Sequence, residues 1–375
     1  MDFELNEDQR LLRDTLSQFL TRRYGFAERV AVSRGEPGFR PDIWDSFANE
    51  LGLLGLTIST EHGGLGGGAV EQMIVMEEFG RHLVLEPVAE TLFHCGWLLE
   101  RADGPSSHLA SEIAAGRLRL AMAIGEPQMR DDLEDISVRA ERSATGWKLS
   151  GHKAVSVVAP WADRLIVAAR TSGQVGDSDG VSLFLVSVDA AGLTLHPYPT
   201  IDGRRAADVV MEGVSLAPEA LIGDEGSGLE LLEEWRDRAI AAQAAEASGL
   251  LDRLLTDTVA YCKERQQFGQ PIAGFQALQH RMVNMQLEVE LTRASALLAM
   301  LKLDAPAPER ARAASSAKVA VAKACRFVGQ SAVQLHGGMG MTDELPIGHY
   351  FKRATQIEGE FGTADWHLAR LARIS

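Results

Sequence analysis

Five consecutive residues, Arg265-Gln266-Gln267-Phe268-Gly269, follow directly on an apolar helical stretch. Pro271 and Gly274 break the pattern, and a second helix opens near Phe275-Gln276. A guanidinium with side-chain amides, on a turn between two core-type helices, can hold an anionic group, because the guanidinium fork suits phosphate oxygens. Taken alone, Arg265 also reads as a solvated helix-end cation answering the macrodipole. A second segment, Gln334-Leu335-His336-Gly337-Gly338-Met339-Gly340, ends a later helix. It serves either as a C-terminal cap or as a place where glycine lets the backbone approach a ligand closely. A glycine cluster at residues 63–68 follows the apolar run 51–58 and resembles a dinucleotide loop. No second strand with a ribose-binding acid follows, so a turn between helices is the better account.

The elements that must position these residues follow from length and patterning. A chain of 375 residues with 46% apolar and 24% charged residues is globular and long enough for two or three domains. Its net charge of −15 argues against a nucleic-acid or anionic-membrane surface. The three cysteines, Cys95, Cys262 and Cys325, lie far apart in apolar helical text, which predicts buried thiols and neither a metal site nor a disulfide frame. The N-terminal text is acidic and without a signal-type block, and no apolar run is long enough to span a bilayer; the expected location is cytoplasmic.

Leu11, Leu12, Leu16, Phe19 and Leu20 fall at helical spacing after Asn6, with Gln9 placed for a capping box. Helices are expected at 43–51 and 70–81, with helical text to about Ala115. Short β-prone runs then follow at 118–124, 136–140, 147–158, 165–169, 181–188, 193–198 and 209–214, separated by turn formers. From Gly228 the text is helical again, through 276–303, 309–335 and a last segment from Pro346. The expected architecture is α+β in three domains: N-terminal helices (1–117), a middle β-barrel-like domain (118–224) and a C-terminal bundle of about four helices (225–375).

That order resembles the flavin-dependent acyl-CoA dehydrogenase family. The resemblance is carried by Trp44, Leu51-Gly52-Leu53, Glu61-His62-Gly63-Gly64, Glu77-Glu78-Phe79-Gly80-Arg81, Gly125-Glu126-Pro127, the 265–269 stretch with Phe275-Gln276, and Gln334 to Gly340. It is strongest toward the small subunit of two-subunit enzymes such as pimeloyl-CoA dehydrogenase, through Phe351-Lys352-Arg353 and the ending Ile357…Phe361-Gly362. The resemblance implies FAD held between the β-domain of one subunit and the C-terminal bundle of its neighbour. It implies an acyl-CoA substrate that loses an α-proton to a glutamate and a β-hydride to the flavin, with an electron-transfer flavoprotein as electron acceptor. On this pattern Arg265 meets the FAD pyrophosphate, Phe268 packs near the adenosine, Gln334 and Gly338 approach the adenine half, and Thr363 is a further cofactor contact.

The chain departs from the pattern where the chemistry happens. The family's Glu-Gly-Thr is here Phe361-Gly362-Thr363, and phenylalanine takes no proton. Glu360 stands one residue earlier, rotated by about 100° if the helix continues. An alternative family position for the base corresponds to Ala239. Glu233, Glu234, Asp237 and Glu246 lie nearby, each by default on a solvated face, with Glu246 among alanines the one weak alternative. Val155, Val157 and Gly125 stand where an aromatic residue and two threonines commonly flank the flavin. Three readings follow: a subunit without the base in a hetero-oligomer, whose glutamate-bearing partner's FAD site it completes; a self-sufficient homo-oligomer with a relocated base; and a non-catalytic acyl-CoA or flavin scaffold.

Overall fold

The structure, a computed structural model, describes residues 4–102, 104 and 106–374. Helices come first: α1 (Glu7–Arg23), α2 (Phe26–Arg34), α3 (Pro41–Asn49), α4 (Ala69–His82), a π-helical segment (Ala89–Gly96) running into α5 (Trp97–Arg101), and α6 (Leu109–Ala114). Eight strands follow: β1 (Leu120–Ala123), β2 (Arg139–Ser143), β3 (Gly146–Val157), β4 (Arg164–Arg170), β5 (Val181–Ser187), β6 (Leu193–Pro199), β7 (Arg205–Leu216) and β8 (Leu221–Ile222). The chain closes with α7 (Gly228–Glu264), a hairpin of β9 (Gln266–Gln267) and β10 (Gln270–Pro271), then α8 (Gln276–Leu301), α9 (Ala307–His336), α10 (Pro346–Gly359) and α11 (Ala364–Arg373). This is the expected order of N-terminal helices, middle sheet and C-terminal helices. Among the described residues no helix is long and apolar enough to cross a membrane.

By packing, the chain forms two compact units that do not follow chain order. One gathers residues 1–29, 69–84 and 237–375; the other gathers 30–68 and 85–236.

In the helical unit, α1 opens with the expected capping box: the Asn6 side chain accepts from the Gln9 amide and Gln9 returns the bond. Two glycines fix the crossing of α4 and α7. A Cβ placed on Gly80 would stand 1.9 Å from the Glu246 carbonyl oxygen, and one on Gly249 would stand 1.8 Å from that of Glu77. The crossing brings Arg81 onto Asp252 at 2.5 Å. Behind it, the alanine-rich face of α9 packs on α8, α10 and α11. The final helical segment expected from Pro346 is two helices, because the chain leaves the helix after Gly359.

In the other unit the sheet runs β6-β7-β3-β2-β4-β5-β8, with β1 added alongside β4. It is mixed: β1 and β2 both pair with β4 in parallel. The long β3–β7 pairing carries two bulges, at Leu149/Ser150 and between Lys153 and Ser156. Lys153, fully buried, donates to the Ile124 carbonyl and, at 2.6 Å, to Glu126. Glu126 also accepts from the amides of Ser137 and Val138, the Ser137 hydroxyl and the Gln128 amide. Burial pushes the Glu126 carboxyl up, but the Lys153 charge and these donors outweigh it and hold it at about 2. Glu126 is therefore a structural anion that ties the start of the sheet to β3. The Cys95, Cys262 and Cys325 thiols are free and buried, as expected.

Gly249→Ala forces α4 and α7 apart and should lower the unfolding free energy by at least about 1–3 kcal/mol, read as a lower midpoint in thermal or denaturant unfolding. The Glu126 carboxylate, held at about 2 against an ordinary 4.5, contributes stability that is complete above 4.5 and lost as pH falls through 2. Glu126→Gln strands the buried ammonium of Lys153, so stability near neutral pH should drop by about 3 kcal/mol. Denaturant titrations at several pH values should show that the variant loses less additional stability on acidification than the parent does.

Candidate functional site

The 265–269 stretch folds as a two-residue hairpin. The Arg265 amide closes the last turn of α7 on Tyr261, and the Arg265 carbonyl accepts from the Ile272 amide across the hairpin base. Gln267 pairs with Gln270, which leaves Phe268 and Gly269 at the tip with φ of +52° and +79°. Two successive positive φ values make the type I′ geometry that matches strand twist, at a conformational penalty for a phenylalanine. Phe268 is 91% exposed, its ring meeting Phe275 edge-on at 5.9 Å. Arg265 is exposed too, and among the described residues its guanidinium has no hydrogen-bond or ion-pair partner.

The second glycine segment lies against the same helix end. Tyr261 stacks on His336 with centroids 4.2 Å apart and planes inclined by 24°, joining the last turns of α7 and α9. The His336 ring bonds the Ala332 carbonyl at 2.8 Å, so Nδ1 carries a proton. Gly337 caps α9 at φ +60°, and a Cβ on Gly337 or Gly338 would meet nothing within 4 Å. Gln334 is exposed on the last turn of α9. The stack thus couples the helix ends that carry Arg265 and Phe268 on one side and Gln334 and Gly338 on the other. Together they offer a cation, an amide, open backbone and an aromatic face, a set able to take a diphosphate and a flat heterocycle. Thr363 stands apart as the N-cap of α11, exposed, its hydroxyl accepting from the Trp366 amide at 3.3 Å.

The acids near Phe361 are already engaged. Arg353 donates from Nε and Nη2 to the two oxygens of Glu246, both at 2.7 Å. Its Nη1 lies 3.4 Å from Glu360, which also accepts from the Gln243 amide. Glu360 is not on a helix: it is the extended C-cap of α10, so the helical rotation expected for it does not apply. Lys318, on the buried face of α9, donates to the Ile357 carbonyl and to the Gln243 side chain. Burial pushes its ammonium down to about 8, while Glu360 draws it back upward. Asp237, expected on a solvated face, is buried against Arg370 at 2.6 Å. Ala239 is fully buried. Phe361 itself sits at φ +60°, followed by Gly362 at +109°.

Sequence reading missed Arg353, Lys318, Gln243 and Asp237 as partners. The available signal was a cation or amide on an otherwise apolar helical face.

In the sheet, Val155 occupies the β3 bulge at φ +53° and is exposed. Its amide donates to Asp208 at 3.1 Å, an oxygen that also accepts the Tyr198 hydroxyl. The one hydroxyl of this part of β3, Ser156, is buried and has no hydrogen-bond partner among the described residues. Gly125 is packed close: its carbonyl accepts from the Ala154 amide at 2.8 Å, and a Cβ on it would lie 3.0 Å from the Ala154 oxygen. No side chain larger than hydrogen fits there without a shift. Among the described residues no group of His, Cys, Asp and Glu is placed to hold a metal ion.

Three family models match successive parts of the chain: the acyl-CoA dehydrogenase N-terminal domain over residues 6–95, the middle domain over 121–214 and the C-terminal domain over 226–375. The chain is 30% identical to the acyl-CoA dehydrogenase IpdE2 of Mycolicibacterium smegmatis, over 98% of each protein. It is 27% identical, over 84% of each, to subunit CarC of the caffeyl-CoA reductase-Etf complex of Acetobacterium woodii. Among solved structures, the Tcur3481-Tcur3483 steroid ACAD shares the fold with a TM-score of 0.88 and 29% identity, covering 98% of this chain and 97% of that one. The chain belongs to the acyl-CoA dehydrogenase family, the FAD-dependent oxidoreductases of acyl-CoA thioesters.

Proposed function

We propose that this chain is the subunit without the proton acceptor in a hetero-oligomeric acyl-CoA dehydrogenase. Its Arg265, Phe268, Gln334, Gly338 and Thr363 complete the FAD site of a glutamate-bearing partner. One observation carries the reading: the cofactor-type residues point outward, while the acid chemistry is closed. Among the described residues the Arg265 and Gln334 side chains have no hydrogen-bond or ion-pair partner, Phe268 is 91% exposed and open space faces Gly338. Phe361 holds the usual acid position, and Arg353 takes both oxygens of Glu246.

The donor set fits FAD. A guanidinium without a protein partner answers the pyrophosphate, and the open glycine backbone admits the adenine half. FAD, when bound, supplies the acceptor for the hydride leaving the β-carbon of the acyl thioester. The side where the resemblance puts the flavin ring is poor in donors, with Val155 and Val157 where an aromatic residue and a threonine are common and Gly125 packed on Ala154. The pairing of two chains in the name of the steroid ACAD supports a heteromer, and the Etf complex of CarC supports an electron-transfer flavoprotein as acceptor. The three buried free thiols fit a reducing cytoplasm.

Co-purified with its glutamate-bearing partner, the chain should yield about one FAD per pair by absorbance, and Arg265→Ala should weaken retention by ~10-fold or more, the worth of a charge-assisted contact. Flavin binding and acyl-CoA turnover by the chain alone would overturn the proposal. Phe361→Glu in the isolated chain should give no measurable dehydrogenation, because the flavin-ring contacts are lacking as well as the base. Glu246→Gln should leave turnover of the pair within about twofold while lowering the unfolding midpoint, since it breaks the bidentate pair.

A further inference from the structure

The 361–363 turn is held by a chain of buried groups that ordinary helix packing does not require. His367, fully buried on α11, reaches back to the Phe361 carbonyl with Nε2 at 2.9 Å. A carbonyl only accepts, so Nε2 carries the proton. On the other side of the ring, Nδ1 lies 3.1 Å from the hydroxyl of Ser315, which is fully buried on α9. Ser315 accepts from Arg370 at 3.2 Å and so has its own proton free to give to Nδ1. Arg370 is neutralised by Asp237 of α7 at 2.6 Å, and Arg310 approaches the other oxygen of Asp237 at 3.5 Å. These contacts run from Asp237 through Arg370 and Ser315 to His367 and favour the Nε2–H tautomer of the imidazole.

The fit around the ring leaves little slack. A Cβ on Gly362 would fall 2.8 Å from His367 Nε2, so only glycine passes there at φ +109°. Trp366 covers the imidazole edge-on with centroids 4.8 Å apart. Phe361 is kept in a left-handed conformation that a phenylalanine does not adopt unaided, which requires surroundings that over-determine it. The Thr363 hydroxyl caps α11 directly after the turn.

We infer that His367 is a positioning residue: through the Phe361 carbonyl, the relay from Asp237 holds the 361–363 turn in the one conformation that presents Thr363 to the shared FAD. The inference rests on the proposed cofactor role of this chain. Because Asp237 lies on α7 and Arg265 directly follows its last residue, Glu264, the relay also references the turn to the helix whose end delivers the arginine proposed to meet the pyrophosphate.

The test uses the co-purified pair and the chain alone, each as parent, His367→Asn, His367→Gln and Ser315→Ala. Asparagine keeps a polar atom toward Ser315 and loses the donor toward Phe361, whereas glutamine keeps an N–H near the Nε2 position. His367→Asn should speed hydrogen exchange of the backbone around 361–363 in the chain alone by ~10-fold, and weaken FAD retention by the pair by a similar factor, the worth of one buried hydrogen bond. His367→Gln should restore both toward parent values. Ser315→Ala, which frees the tautomer but keeps the ring, should move both in the same direction by less, and decides the matter if the asparagine variant is too unstable to purify. Parent-like exchange in His367→Asn and Ser315→Ala, or faster exchange with unchanged FAD retention, overturns the inference. A parent pair without FAD instead overturns the function proposed above, while the exchange rates still show whether the relay holds the turn.

Discussion

Gly80 and Gly249 let α4 and α7 touch backbone to backbone, and the arrangement of the helical unit depends on that contact. With the helices this close, there is no layer of side chains between them. Apart from Asp252, which meets Arg81 beside the crossing, several polar residues of α7 reach instead to α9, α10 and α11. Glu246, whose own carbonyl forms part of the crossing, extends its carboxylate to Arg353. Asp237 extends to Arg370, and Gln243 bridges Lys318 and Glu360. Helix α7 thus serves as a rack of acceptors on which the cations of α9, α10 and α11 are hung, and its far end delivers Arg265 to the hairpin.

This arrangement explains why the carboxylates near Phe361 are plentiful yet already engaged. A carboxylate bound at both oxygens by one guanidinium stabilises the packing of α7 on α10 through charge-assisted bonds. The same bonds remove it from chemistry. A buried pair of this kind is strongly disfavoured from losing one member, because the remaining charge is left uncompensated. The acids around Phe361 are accordingly fixed parts of the fold.

Much of this was legible in the sequence, and the rest was hidden for identifiable reasons. The Asn6–Gln9 cap, the strand segments and the turn between helices at 265–269 are local, so text within a few residues specifies them, although that turn proves to be a short hairpin. Helix α2 was missed because FAERVAVSR has no sustained apolar face. The two parallel pairings with β4 connect strands far apart in sequence, which alternation of residue types does not encode. Arg353 and Glu246 are 107 residues apart, and Gln243 and Glu360 117. Asp237 looked like a surface acid because nothing near it in sequence announces the arginine from α11. Glu360 was placed on a helix that in fact stops at Gly359. The motifs of Arg265, Phe268, Gln334 and Gly338 were recognisable, but that these residues stand exposed is a property of the folded chain alone.

Phe268 has a bearing on the life of the chain before any partner arrives. An aromatic ring almost wholly in water, on a hairpin that offers two short unpaired edges, is the kind of surface that recruits unintended neighbours. If the chain works in the proposed hetero-oligomer, any excess over its partner would carry that sticky tip uncovered, with the acidic body and its net charge of −15 as the main protection against self-association. In the proposed hetero-oligomer, balanced synthesis of the two polypeptides would then be a requirement of solubility as well as of catalysis, and the ring proposed to help hold the cofactor would also register whether its counterpart has been made.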